Sequence, residues 1–210
     1  MSMLQRLGFY VVLALACGSA EAASDPVTKE QYQLLPEYCR NQEHVARFLY
    51  RPTAEGEWRR RLGQDYLHIH HYCWGLVHML NAYRLGVTSG KGRFQFEEAA
   101  DDFRFSINAT LLNGGKSPGS ALLPEMYTKL GEALLGVRDY RNAEIAFRSS
   151  WEINPSYAPP YVWWAQALLK QGKTGEALAV AEEGKKNAPD SKSLAKLIEE
   201  IRGKGTSAKK

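Results

Sequence analysis

Apolar positions along much of the chain recur three and four residues apart, the spacing that gathers side chains on one face of a helix. The pattern predicts helices over 66–85, 122–136, 140–153, 158–171 and 174–187. Ser191 caps a last helix over 192–202, in which Leu194, Leu197, Ile198 and Ile201 form one stripe. Pro155 and Pro189 cannot continue a helix, so each closes a helical pair. Arg138-Asp139 and Gly172-Lys173 fall where the turns inside those pairs belong.

The two pairs repeat each other. Tyr127, Leu130, Gly131, Leu134, Ala143, Phe147 and Pro155 are followed 34 residues later by Tyr161, Trp164, Ala165, Leu168, Ala177, Ala181 and Pro189. Small residues at 131, 165, 143 and 177 let helix backbones approach closely. The order and period resemble the tetratricopeptide repeat (TPR), a helical hairpin that stacks into solenoids. The resemblance is specific over 124–190. It extends in weaker form over 66–112, where Ala99 and Phe103 imitate the second helix and Gly86–Gly92 is an expanded loop. Residues 23–65 do not match it. The implied fold is all-α: a short TPR-like solenoid of antiparallel helix pairs with a capping C-terminal helix and a non-repeat N-terminal helical segment.

The domain plan is therefore a signal peptide at 1–22, a non-repeat segment at 23–65 and a degenerate hairpin at 66–112. A linker at 113–120, TPR units at 121–157 and 158–191, a capping helix at 192–202 and a disordered basic tail at 203–210 complete it. The signal reading rests on Arg6, the apolar run Leu7–Ala16 and the cleavage site Ala20-Glu21-Ala22. Such a run is too short to span a bilayer, which needs roughly twenty residues. Cleavage after Ala22 makes the product periplasmic or secreted. In the alternative reading Cys17 is a lipid anchor, although Ala14 stands where a lipobox has leucine.

Composition adds little, since 44% hydrophobic and 24% charged residues are ordinary for a folded chain. The net charge of +4 shrinks to +1 once the three lysines of the last eight residues are set aside. A nucleic-acid partner therefore gains no support. No other stretch is long and apolar enough to span a membrane.

Removal of Cys17 would leave Cys39 and Cys73, an even pair suited to a disulfide in an oxidising compartment. That bond would close a loop worth about 3 kcal/mol in chain entropy; two buried free thiols are the alternative. Cys73 lies in His68-Ile-His-His-Tyr-Cys-Trp-Gly75, which holds three of the five histidines. Three readings compete for this stretch. As a metal site, His68, His70, His71 and Cys73 offer ligands for zinc or copper. As a thiol enzyme, Cys73 would be the nucleophile and His70 its base. As packing, Tyr72, Trp74, Leu76, Leu80 and Tyr83 would bury and dock the N-terminal segment, with no cofactor. Packing is the reading adopted, and no catalytic residue is assigned.

A solenoid of this kind implies a groove for a protein or peptide in the cell envelope. The expected function is that of a scaffold or adaptor in envelope assembly or secretion. Trp164 and Tyr161 are expected in the core and Trp163 outside it. Arg138, Asn142, Arg148, Tyr157 and Trp163 are the residues expected to meet the partner.

Overall fold

The computed structural model of the chain describes residues 27–42, 45, 54–112 and 121–207. The expected signal peptide with Cys17, the expected linker 113–120, His44 and residues 208–210 lie outside them. Among the described residues every regular element is helical and there is no strand. The N-terminal segment contributes α1 (Lys29–Leu34), α2 (Glu37–Arg40), α3 (Glu55–Leu62) and the 3-10 turn Gly63–Leu67. Three helical pairs follow: α4 (Ile69–Leu85) with α5 (Gly90–Leu112), α6 (Leu123–Gly136) with α7 (Tyr140–Ile153), and α8 (Pro159–Lys170) with α9 (Thr174–Asn187). The closing helix α10 (Lys192–Ser207) packs on α9 and α8.

From α4 onward each helix packs most extensively on its neighbours in sequence, α6 also meets α8, and α2 packs on α4. The same contact builds two of the pairs. A Cβ on Gly75 would lie 2.5 Å from the Phe103 ring, and one on Gly131 would lie 2.6 Å from the Phe147 ring. Glycine on the first helix thus admits a phenylalanine from the second. Both rings are fully buried, a burial worth about 2–3 kcal/mol each. Aromatic contacts then join one pair to the next. Trp151 stacks on Tyr161 at 4.6 Å, and Phe147 reaches Trp164 at 6.1 Å.

The helix starts have visible causes. Thr28 and Gln31 form a reciprocal cap on α1. The Asp139 carboxylate accepts the Asn142 N–H at the start of α7, and Ser191 Oγ accepts from Leu194 at the start of α10.

Three boundaries differ from the sequence reading. The stretch 66–85 is broken, since a 3-10 turn runs to Leu67 and α4 begins only at Ile69. The loop expected over 86–92 ends early, because Ser89 Oγ accepts the Gly92 N–H and starts α5 at Gly90. Finally, α10 runs to Ser207, past the expected end at 202, with no proline to stop it.

Candidate functional site

The first helices of the three pairs, α4, α6 and α8, share a pattern of outward positions. The glycine–phenylalanine contacts align Gly75 with Gly131, and the repeat aligns Gly131 with Ala165. Cys73 therefore corresponds to Lys129 and Trp163, Leu76 to Glu132 and Gln166, and Leu80 to Gly136 and Lys170. All of these except Cys73 line two adjoining clefts, which share Tyr83 and Glu132 and together form one trench.

The first cleft, of about 230 Å³, lies between α4, α6 and residues 34–36, with Leu76, Met79 and Leu80 on its wall. The second, of about 360 Å³, runs on across α6 and α8. Phe96, Leu135 and Trp163 give it an apolar lining, and Arg138 and Lys170 stand at its edge.

Electrostatics divide the trench. Glu132 is buried yet satisfied, accepting from the Tyr83 hydroxyl at 2.6 Å and from Lys129 Nζ at 2.8 Å. Glu125 accepts from the Tyr72 hydroxyl at 2.6 Å and the Tyr38 hydroxyl at 3.3 Å. Burial, reinforced by these carboxylates, holds the Tyr38, Tyr72 and Tyr83 phenols above their ordinary range. The same causes push Tyr157 up to about 12. The acids in the trench are thus already matched. Arg138 and Lys170 are not: both are exposed, and neither has an ion-pair partner among the described residues.

Arg138 carries a second peculiarity. Its φ of 65° lies in the left-handed region, whereas the corresponding turn 34 residues on uses Gly172, at 77°. A residue with a side chain holds that conformation at a cost of about 1–2 kcal/mol.

The N-terminal segment lies on the α4 end of this face. Cys39 and Cys73 are joined in a disulfide with their Cα atoms 5.4 Å apart. Leu35 is buried, and the Gln31 amide donates to Asn81 Oδ1 at 2.6 Å inside the core. Since position 73 matches 129 and 163, the disulfide fixes this segment where the other pairs present trench-lining side chains.

Of the five residues expected to meet a partner, the structure brings Arg138 and Trp163 together in the larger cleft. Tyr157 stands half-buried within reach of the charges of Glu125 and Glu132. Asn142 is elsewhere, its amide donating to Asp139 Oδ2 at 2.6 Å in the α7 cap. Arg148 is also elsewhere, paired with Glu144 at 2.9 Å on exposed α7 surface. Sequence reasoning missed Lys170, Gln166 and Phe96, and it placed Tyr83 in the core, whereas this ring is exposed at the mouth of both clefts with its hydroxyl on Glu132. Stepping three, four and seven residues from Trp163 would have reached Gln166, Ala167 and Lys170, all of which line the cleft.

The histidine-rich stretch is assembled as packing. Ile69, Tyr72 and Cys73 are buried, and His70 Nδ1 donates to the Leu67 carbonyl at 2.9 Å. His71 Nδ1 donates to Asp102 Oδ1 at 2.9 Å, beneath the Phe105 ring. His78 donates to Gln95 at 2.7 Å. Burial raises the Asp102 carboxyl, opposed by its hydrogen bond from His71. The disulfide takes Cys73 out of both the metal-ligand and the nucleophile readings. No group of three or more His, Cys, Asp or Glu side chains among the described residues is arranged to hold a metal ion. No helix among them is long and apolar enough to cross a membrane.

No family model matches the sequence, and no curated protein is significantly similar to it.

Proposed function

We propose that the chain is an exported TPR-type scaffold that holds a peptide or protein segment along its first-helix face. The observation that carries this reading is the trench itself. It follows the same positions on α4, α6 and α8, as a groove built by repetition would. The disulfide and the signal-like N-terminus support function in an oxidising compartment, the periplasm or outside the cell. Envelope assembly or secretion is the setting in which such an adaptor would act.

A photo-crosslinking amino acid at Trp163 tests the reading in cells, with the same group at Ile145 as control. Ile145 is exposed on α7 and lines neither cleft. Discrete adducts from position 163 and none from 145 are expected. Equal adducts from both positions, or none from either, would remove the trench as the binding face.

A further inference from the structure

We infer that the ligand of this trench is an extended apolar peptide carrying acidic residues at its α8 end, an inference that rests on the binding role proposed above. Three features point to this partner.

The first is charge. The carboxylates along the trench, Glu125 and Glu132, are taken up by tyrosine hydroxyls and Lys129. The only cations of the larger cleft, Arg138 and Lys170, stand exposed with no carboxylate partner among the described residues. A ligand carboxylate placed between them gains charge-assisted hydrogen bonds that an amide does not. A basic ligand gains nothing there.

The second is the lining. Leu76, Met79 and Leu80 in one cleft and Phe96, Leu135 and Trp163 in the other are surfaces for apolar side chains. The aliphatic part of this lining favours a peptide over an anionic polysaccharide, whose sugar rings carry no aliphatic side chains and pack chiefly on aromatic rings.

The third is that polypeptide already forms part of the wall of this trench. Residues 34–36 form one wall of the α4 cleft, and the Tyr38 hydroxyl donates to Glu125 on α6. The chain's own segment thus borders the cleft, and a peptide beside it would run on toward α8.

Arg138 makes the inference testable without risk to the fold. Arg138→Gly installs the residue that the corresponding turn already uses at 172, so this variant should melt no lower than the parent. An array of apolar peptides, each in an acidic form and an isosteric Asn/Gln form, is probed with the full-length exported protein. The acidic forms should bind about tenfold more tightly at low salt, the size of one good charge-assisted contact. Arg138→Gly and Lys170→Gln should each lower that ratio, and together bring it near one. Peptides bound without charge preference, or a ratio unmoved by the two substitutions, would overturn the inference and leave the trench a binding face. Alginate binding more tightly than any peptide would overturn it in favour of an anionic polysaccharide. Failure of every peptide, together with no adduct at position 163, would remove the binding role and this inference with it.

Discussion

At the scale of single residues, the structure separates positions that look alike in sequence. Gly75 and Gly175 both lie within helices, where exchange for alanine ordinarily gains up to about 1 kcal/mol. A Cβ on Gly75 meets the buried Phe103 ring at 2.5 Å, whereas one on Gly175 meets nothing within 4 Å. Gly75→Ala should therefore destabilise by about 1–3 kcal/mol through overpacking, and Gly175→Ala should stabilise. Urea unfolding of the two variants, compared in sign, checks this. The buried serines of α5 and α7 form a second pair. Ser150 Oγ donates to the Pro124 carbonyl at 2.6 Å, but Ser106 Oγ has no partner among the described residues. Ser150→Ala should cost about 1–2 kcal/mol and Ser106→Ala nothing, or a slight gain. Equal losses at the two sites would mean that the hydroxyl contacts do not matter.

At the scale of elements, the N-terminal segment is attached rather than stacked. Its buried apolar residues among those described are Val27, Leu35, Cys39, Val45 and Leu62, with Tyr32, Tyr38 and Trp58 half-buried against the core. Beyond that packing, which includes Tyr38 stacked on Tyr72, the disulfide, the Gln31–Asn81 bond and the Tyr38–Glu125 bond hold it to the pairs. The cysteines are 34 residues apart, so replacing both with alanine removes about 3 kcal/mol of loop-entropy stabilisation. That loss should fall on the segment. Hydrogen exchange at residues 29–40 should rise steeply while α7, α8 and α9 keep their protection. Equal loss of protection throughout would show that the segment is part of one cooperative core. The difference between segment and pairs also explains what could be read in advance. The helices of 122–187 were legible because each must bury one stripe and end at a proline or a turn, and both demands are written locally. Arg138 and Trp163 were legible as outward members of the repeat. Tyr83 and Phe96 were not, because their part in the cleft depends on how the first pair docks on the second. The carboxylate beneath His71 does not follow from spacing, since it is a contact between different helices, whereas the early start of α5 is a local Ser89 cap hidden among the glycines of 86–92.

At the scale of the whole molecule, tyrosines set an alkaline limit on stability. Tyr66, at the junction of the N-terminal segment with α4, and Tyr157, between the second and third pairs, are both pushed up to about 12, chiefly by burial. Tyr38, Tyr72 and Tyr83 shift the same way beside Glu125 and Glu132. A phenol in the unfolded chain ionises near 10. Between pH 10 and about 12 the folded state therefore holds protons that the unfolded chain has released, and stability falls as pH rises. The stabilisation is complete below pH 10 and drains away through the folded values. Each such tyrosine contributes a slope of up to about 1.4 kcal/mol per pH unit. Because these groups sit at the N-terminal junction, along the trench and between pairs, the loss should be one cooperative transition and not the detachment of one end. Urea midpoints measured from pH 8 upward should stay level to about pH 10 and then drop, with tyrosinate absorbance appearing together with loss of helical ellipticity. Tyr157→Phe should flatten the slope by about one proton. A tyrosinate signal near pH 10 that Tyr157→Phe removes while the helices remain intact would show that this phenol is open to water, and that the junction of the second and third pairs is not packed as described.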